Sequence, residues 1–223
     1  MSSVIPATST LTLAGIDVSH HQGEVNWHAV AEAGISFAFA KATEGATFVD
    51  PQFSRNWAPM KDAGIVRGAY HFFRPAKPAE SQVANFLKAV NELGDGDLPA
   101  VLDLEEAPTP HGDEWEEVPA QNRVPLVLTW LDAVANSLGR KPIIYTRRGF
   151  IELELPEPAI LAQFPLGSRT TRPGLRRNCP RSGGLFGSTP REAKLMELKA
   201  MWTLTGSMVR RQSYPDWREL RFS

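Results

Sequence analysis

Apolar and polar positions along this chain follow two periods in alternation, and glycines mark most of the changes between them. Leu11-Thr-Leu-Ala-Gly-Ile-Asp-Val-Ser19 alternates and then turns apolar, which predicts a strand with Asp17 near its C-terminal end. Asn26 can cap a helix through Trp27, Val30 and Ala33 that stops at Gly34. Ile35 to Ala42 predicts a second strand, with Lys41 and Glu44 near its end. A helix over 51–63 closes at Gly64, and Ile65 to Phe73 predicts a third strand that ends in Tyr70 and His71. Val83, Phe86, Leu87 and Val90 give helical spacing to 79–93, before Gly94. Pro99 opens a fourth strand, whose apolar run Ala100-Val-Leu102 leads into Asp103-Leu-Glu105. A helix over 124–138 has Gly139 behind it, and Lys141 to Thr146 predicts a fifth strand. A further strand is expected after the region 157–164.

Strands and helices that alternate at this spacing predict βαβ units and a parallel sheet. A TIM-like (β/α) barrel is favoured over a doubly wound sheet, because polar residues recur at the C-terminal ends of the strands. Asp17, Lys41, Tyr70, Asp103 with Glu105, and Tyr145 all fall there, and barrel enzymes build their sites on that rim. No glycine-rich phosphate loop follows the first strand, which counts against a nucleotide-binding fold. Residues two apart on a strand share a face, so Asp103 and Glu105 point the same way, roughly 6.6 Å apart along the backbone. The plainer interpretation is a pair of solvated acids opening an acidic loop, since Glu106, Asp113, Glu114, Glu116 and Glu117 follow.

Composition narrows the function classes. At 223 residues the chain suits one domain with a sizeable core. No apolar run approaches a membrane span, and Met1 to Ala14 has neither a basic residue nor a sustained apolar core, so it does not read as a signal peptide. The single cysteine, Cys179, excludes an internal disulfide framework and a cysteine zinc cluster. A formal net charge of -1 argues against general nucleic-acid binding. The five histidines show no ligand spacing, no metal or cofactor is expected, and no Gly-x-Ser-x-Gly elbow supports serine hydrolysis.

Five stretches together carry a resemblance. Gly15-Ile-Asp-Val-Ser-His-His-Gln-Gly23, Lys41-Ala-Thr-Glu-Gly45, Gly68-Ala-Tyr-His-Phe72, Leu102-Asp-Leu-Glu105 and Ile144-Tyr-Thr146 resemble glycoside hydrolase family 25, the Chalaropsis-type lysozymes. The resemblance implies an irregular β/α barrel and cleavage of the β-1,4 bond after N-acetylmuramic acid in peptidoglycan, by a monomer. Glycoside hydrolysis needs a carboxylic acid at the leaving oxygen and negative charge beside the developing oxocarbenium ion. By resemblance Glu105 is the general acid. Asp103 then orients the substrate's 2-acetamido group or stabilises a cyclic intermediate formed by it, and Asp17 holds a sugar or fixes Glu105. Tyr70 and Tyr145 are expected to bond or stack on the glycan, with Gln22, Lys41 and Glu44 as more distant candidates. Against this, the tyrosines could be rim packing, and Lys41 could simply pair with Glu44.

The charge pattern breaks near residue 166. Residues 1–165 hold 12 Lys+Arg and 21 Asp+Glu, whereas 166–223 hold 12 and 4. The family's late aromatic strands, its Trp-Gln-Tyr stretch and its Val-Asp pair are missing from that tail. We therefore divide the chain into an N-terminal extension (1–13), a partial glycosidase barrel (14–166) and a basic tail (167–223) that reads as frameshifted. Restoring one T near Leu166-Gly167 lets Gly167 to Thr171 become Trp-Val-Ala-His-Tyr, and Gly187 to Pro190 become Trp-Gln-Tyr-Ser. Some steps need no choice of codon, because Met and Trp each have one. Met201-Trp202 must give valine and Trp202-Thr203 must give aspartate, the Val-Asp pair that the family carries late in its sequence. Without its closing strands the barrel is expected to have an open edge and reduced stability or activity. Two competing readings stand beside the lysozyme: a non-catalytic glycan-binding relic, and another carboxylate glycosidase such as a chitinase.

Overall fold

The computed structural model describes residues 11–167, 201–206 and 221–222. The chain runs through β1 (Leu11–Val18), a 3₁₀ turn at His20–Gln22, α1 (Trp27–Glu32), β2 (Ile35–Glu44), β3 (Phe48–Val49), α2 (Phe53–Asp62), β4 (Val66–Phe72), α3 (Ala79–Ala89) and β5 (Val101–Leu104). A small hairpin of β6 (Pro108–Thr109) and β7 (Gly112–Asp113) precedes α4 (Ala120–Leu138) and β8 (Ile143–Thr146). Then come α5 (Arg148–Glu154), a 3₁₀ stretch at Pro158–Gln163, β9 (Leu166–Gly167), β10 (Met201–Gly206) and β11 (Arg221–Phe222).

The predicted strands pair in parallel in the order β1-β2-β4-β5-β8, each step adding the next strand along the chain, and β9 extends the series. Each crossover carries a helix, because parallel strands need a long return across the sheet. Asn26 caps α1 as expected, its side chain accepting from the backbone N–H of Ala29 at 3.1 Å. The structure differs from the sequence reading at several edges. α3 ends at Ala89 rather than 93, where Val90 leaves helical geometry. α4 starts at Ala120 and carries Pro125 as its sixth residue, beyond the first turn, so the Gln121 carbonyl goes without the helical N–H it would otherwise accept from. α5 was not anticipated. The strand after 157–164 has a partner, for β9 pairs in parallel with β8.

The outer edge of β1, expected to be open, is covered. β10 lies antiparallel along it, from Leu11 opposite Gly206 to Ile16 opposite Met201, and β11 pairs with β10 in turn. The strand β1 also reaches back into the stretch read as an extension. The remainder of the tail interpretation, including Cys179, falls outside the described residues.

The sheet divides the core in two. On its outer face Ile16, Val18, Ala38, Ala40, Ala42, Leu102 and Ile144 pack against helical residues such as Trp27, Met60, Phe86, Trp130 and Leu131. On its inner face Phe37, Phe39, Leu98, Val101, Ile143 and Tyr145 form a second cluster, joined by Leu13, Val66 and Tyr70. β2 therefore shows large rings inward and alanines outward, which lets helices approach it closely while the rings fill the concave side. Leu13 of β1 and Tyr145 of β8 share that inner cluster although three strands separate them in the sheet, so the sheet is strongly curled. Among the described residues no helix is long and apolar enough to cross a membrane.

Candidate active site

Glycine keeps the bottom of the concave face open to rings. An added Cβ on Gly15 would lie 2.1 Å from the Phe37 ring, and one on Gly68 would lie 2.3 Å from Phe39. Above those rings, at the C-terminal ends of the parallel strands, sits a cavity of about 210 Å³. It is lined by Asp17 of β1 and Ser19 just beyond it, His21 and Gln22 of the following turn, Tyr70 and Phe72 of β4, Asp103 of β5 and Glu105 just past it, and Tyr145 of β8, over a floor of Phe39 and Val101. Strand register explains the convergence. Asp103 stands opposite Tyr145 on one side and Phe72 on the other, and Tyr70 stands opposite Val101.

The structure thus brings together Asp17, Gln22, Tyr70, Asp103, Glu105 and Tyr145. Lys41 and Glu44 do not line the cavity. The β2–β4 register shifts between Lys41 and Thr43, and the Lys41 ammonium pairs with Glu44 and lies 5.0 Å from the Phe72 ring centre. Glu44 also meets Arg74, which is bonded to the buried Glu114. Among cavity residues, Ser19, His21, Phe39, Phe72 and Val101 were not singled out from the sequence. Phe72 and Val101 could have been found by counting two positions from Tyr70 and Asp103, since both follow from the strand period.

Each acid or donor is held by its element. Glu105 lies just past β5, and its carbonyl accepts a hydrogen bond from Trp115 Nε1 at 2.9 Å. Trp115 is itself buried against Phe73 and Phe150, and the Asp113 carboxylate accepts from the backbone N–H groups of Ala107 and Trp115, tying the hairpin loop beneath the acid. Gln22 closes a capping box: its carboxamide oxygen accepts from the Ser19 N–H at 2.8 Å and from the Ser19 hydroxyl at 3.3 Å. With that oxygen so used, Gln22 offers a ligand its NH₂ group.

Burial, with the negative charges of Asp17, Asp103 and Asp50, pushes the Tyr70 hydroxyl well above its ordinary pKa of 10.0, against a hydrogen bond with Ser19 that favours the anion. Tyr70 is therefore a firm hydrogen-bond donor at neutral pH. Behind it on the outer face, His71 is buried between Thr43 and Gln82 and stacks on Trp130 at 5.4 Å. The Gln82 NH₂ donates to the carbonyls of Arg74 and Lys77, so its oxygen faces His71 and fixes Nε2 as the protonated nitrogen. Nδ1 then accepts from the Thr43 hydroxyl at 2.7 Å. Burial lowers the pKa of His71 from 6.5 to about 4, a hydrogen bond to Gln82 opposes the shift, and the Lys41 charge adds to it.

A rim that joins three carboxylates, two phenols and an amide can protonate a leaving group, support positive charge at a reacting carbon and bond sugar hydroxyls. Among the described residues, no group of three or more His, Cys, Asp or Glu side chains is placed to hold a metal ion.

Comparison with known proteins agrees with that chemistry. Residues 16–166 match the model for glycosyl hydrolases family 25. The chain is 40% identical over 159 residues to the uncharacterized protein YegX of Escherichia coli K12, covering 69% of this chain and 55% of YegX. It is 44% identical over 108 residues to Lysozyme M1 of Streptomyces globisporus, covering 47% and 37% of the two chains. The crystal structure of the bacterial lysozyme from Streptomyces coelicolor superposes with a TM-score of 0.64 at 32% identity, over 70% of this chain and 73% of that one. The chain spans about half the length of the curated relative YegX.

Proposed function

The chain belongs to glycosyl hydrolases family 25, and from that premise we propose that it is a lysozyme cleaving the β-1,4 bond between N-acetylmuramic acid and N-acetylglucosamine in peptidoglycan. The observation that carries this reading is the convergence of Asp17, Asp103 and Glu105 with Tyr70 and Tyr145 on one cavity at the strand ends. One chain supplies all of these groups, so a monomer suffices.

In this reading Glu105 donates its proton to the glycosidic oxygen as the bond from that oxygen to C1 breaks, and the N-acetylglucosamine unit leaves with a free hydroxyl. The carbonyl oxygen of the substrate's own 2-acetamido group attacks C1, and the Asp103 carboxylate supports the positive charge that develops on the resulting ring. Water then attacks C1 and gives a proton to the Glu105 carboxylate, which restores the acid, as the bond from C1 to the acetamido oxygen breaks and the acetamide re-forms. Asp17 fixes the sugar or Glu105, and Tyr70, Tyr145 and the Gln22 NH₂ bond to the glycan. Lys41 and Glu44 act at a distance in this account, through the wall formed by Phe72.

The curled sheet is, on the same reading, the greater part of an irregular (β/α) barrel whose closing strands were altered by the frameshift. The family match ends at residue 166, where the charge balance changes, and that coincidence supports treating 167–223 as out of frame. Reducing-sugar release from purified peptidoglycan tests both ideas with this chain, its Glu105→Gln variant and a frame-restored chain. Activity that falls by about 10²–10⁴ on Glu105→Gln is expected for loss of a general acid. Activity confined to the frame-restored chain would mark this tail as damaging. Binding of the wall without turnover by any of the three would favour the glycan-binding relic, and chitin turnover without peptidoglycan turnover would favour a chitinase.

A further inference from the structure

Next to the cavity, the same rim carries an aromatic ledge that the reaction above does not use. His21 lines the cavity, and its ring lies 4.0 Å from that of His20. The His20 ring lies 5.5 Å from Phe48, at the start of β3. Phe48 is 40% exposed, although it stands opposite Glu44 in the β2–β3 pairing, at the end of β2 nearest the cavity. A lone exposed aromatic ring would mean little. This one has a fixed backbone and neighbours on its ring.

Asn85 of α3 donates through Nδ2 to the carbonyls of Gly45 and Phe48, both at 3.0 Å, and so pins the two ends of the connecting loop. The fully buried Asp50 carboxylate accepts from the His20 backbone N–H at 2.9 Å and from its Nδ1 at 2.8 Å, and takes the Gln52 N–H on its other oxygen at 2.8 Å. His20 is therefore fixed in both backbone and ring. Lys41 lies 5.7 Å from the Phe48 ring centre and 5.0 Å from that of Phe72, linking the ledge to the cavity wall. Side chains that are already ordered bind with little further loss of entropy.

We propose that Phe48, backed by His20 and joined to the cavity by His21, is a stacking platform that binds a further sugar of the glycan strand beyond the cavity. The ring of a hexose presents a C–H face that suits the negative face of an aromatic ring. The exposed ring and its continuity with the cavity point to a polymeric glycan, which must leave the cavity along the rim. The inference rests on the peptidoglycan reading for the identity of that glycan.

The test measures binding apart from turnover. Soluble peptidoglycan glycan fragments, from disaccharide to hexasaccharide, are titrated by calorimetry into the full chain carrying Glu105→Gln, with and without Phe48→Ala. Affinity is expected to step up once a fragment is long enough to leave the cavity, and Phe48→Ala should remove about threefold to tenfold of that step, the range a ring contact contributes. Disaccharide binding should be unchanged by Phe48→Ala. Equal length dependence in the two chains would overturn the proposal, as would an absence of binding to both. Cleavage by the parent chain is scored separately: a length-dependent loss on Phe48→Ala without any cleavage would keep the platform and sink the hydrolase.

Discussion

Replacing Gly68 by alanine sets two structural terms against each other. Gly68 lies within β4 with no left-handed backbone angle, so the backbone alone predicts a gain of about 0.5–1 kcal/mol for Gly68→Ala. The contact term has the opposite sign. The added Cβ would sit 2.3 and 2.4 Å from two carbons of the Phe39 ring and 3.1 Å from Leu98 Cβ. Phe39 cannot yield easily, for it is 1% exposed and meets Phe37 edge-on at 6.1 Å. Overpacking of this kind costs about 1–3 kcal/mol, and so severe an overlap belongs at the upper end, leaving a net loss of about 2 kcal/mol. For a chain of this size that is roughly a 4–8 °C fall in Tm. Urea unfolding followed by tryptophan fluorescence measures it directly. Phe39→Leu should relieve the clash, giving a favourable coupling of about 1 kcal/mol or more in the double-mutant cycle. A stabilised Gly68→Ala protein, or strictly additive effects, would refute the packing argument.

Trp115→Phe keeps most of the buried ring but removes the donor to the Glu105 carbonyl, so it should cost about 1 kcal/mol of stability and lower kcat while leaving KM nearly unchanged. An unaltered kcat would show that this bond does not position Glu105. The His71 pKa of about 4 in the fold, against 6.5 unfolded, means that the unfolded chain takes up a proton first as the pH falls. Stability tied to this group is complete above pH 6.5 and declines by about 3 kcal/mol as the pH drops to about 4. Urea titrations across that window should show a shallower pH dependence in His71→Gln, and matching slopes would contradict the burial argument. Asp97→Ala strands Arg67, which it meets through two hydrogen bonds at 2.8 and 3.2 Å, and should cost about 3–5 kcal/mol. The pair Arg67→Met with Asp97→Leu should lose less than Asp97→Ala alone, and a greater loss would mean that the charges themselves stabilise the fold.

Much of this architecture was legible because strand period and glycine stops are local signals. The pattern around Ile16, Ala38, Ala69, Leu102 and Ile144 predicted the five parallel strands, and the residues two apart from the site acids and tyrosines fall on the concave side. Lys41 shows where period counting stops working. It shares the parity of Phe37 and Phe39, yet the bulge after it turns its ammonium toward Glu44 and Phe72. His21 and Ser19 lie on a 3₁₀ turn, for which neither strand nor helix period applies. Asp50 was invisible as a structural acid because His20, the residue it holds, lies 30 positions earlier in the sequence, and the two meet only once the turn after β1 packs beside the end of β3. The partner of β1 was equally hidden, since a basic stretch without clear period gave no strand signal for β10.

That last pairing has a consequence for how the chain folds as it is made. The steps from β1 to β2, β4, β5 and β8 each join strands that lie close in sequence, so each can form once the next unit has emerged from the ribosome. The union of β1 with β10 joins Leu11 to Gly206, far apart in the sequence, and must wait until β10 has been made. Until then β1 presents an unpaired edge to its surroundings, and the nascent protein carries a strand that other chains can claim first.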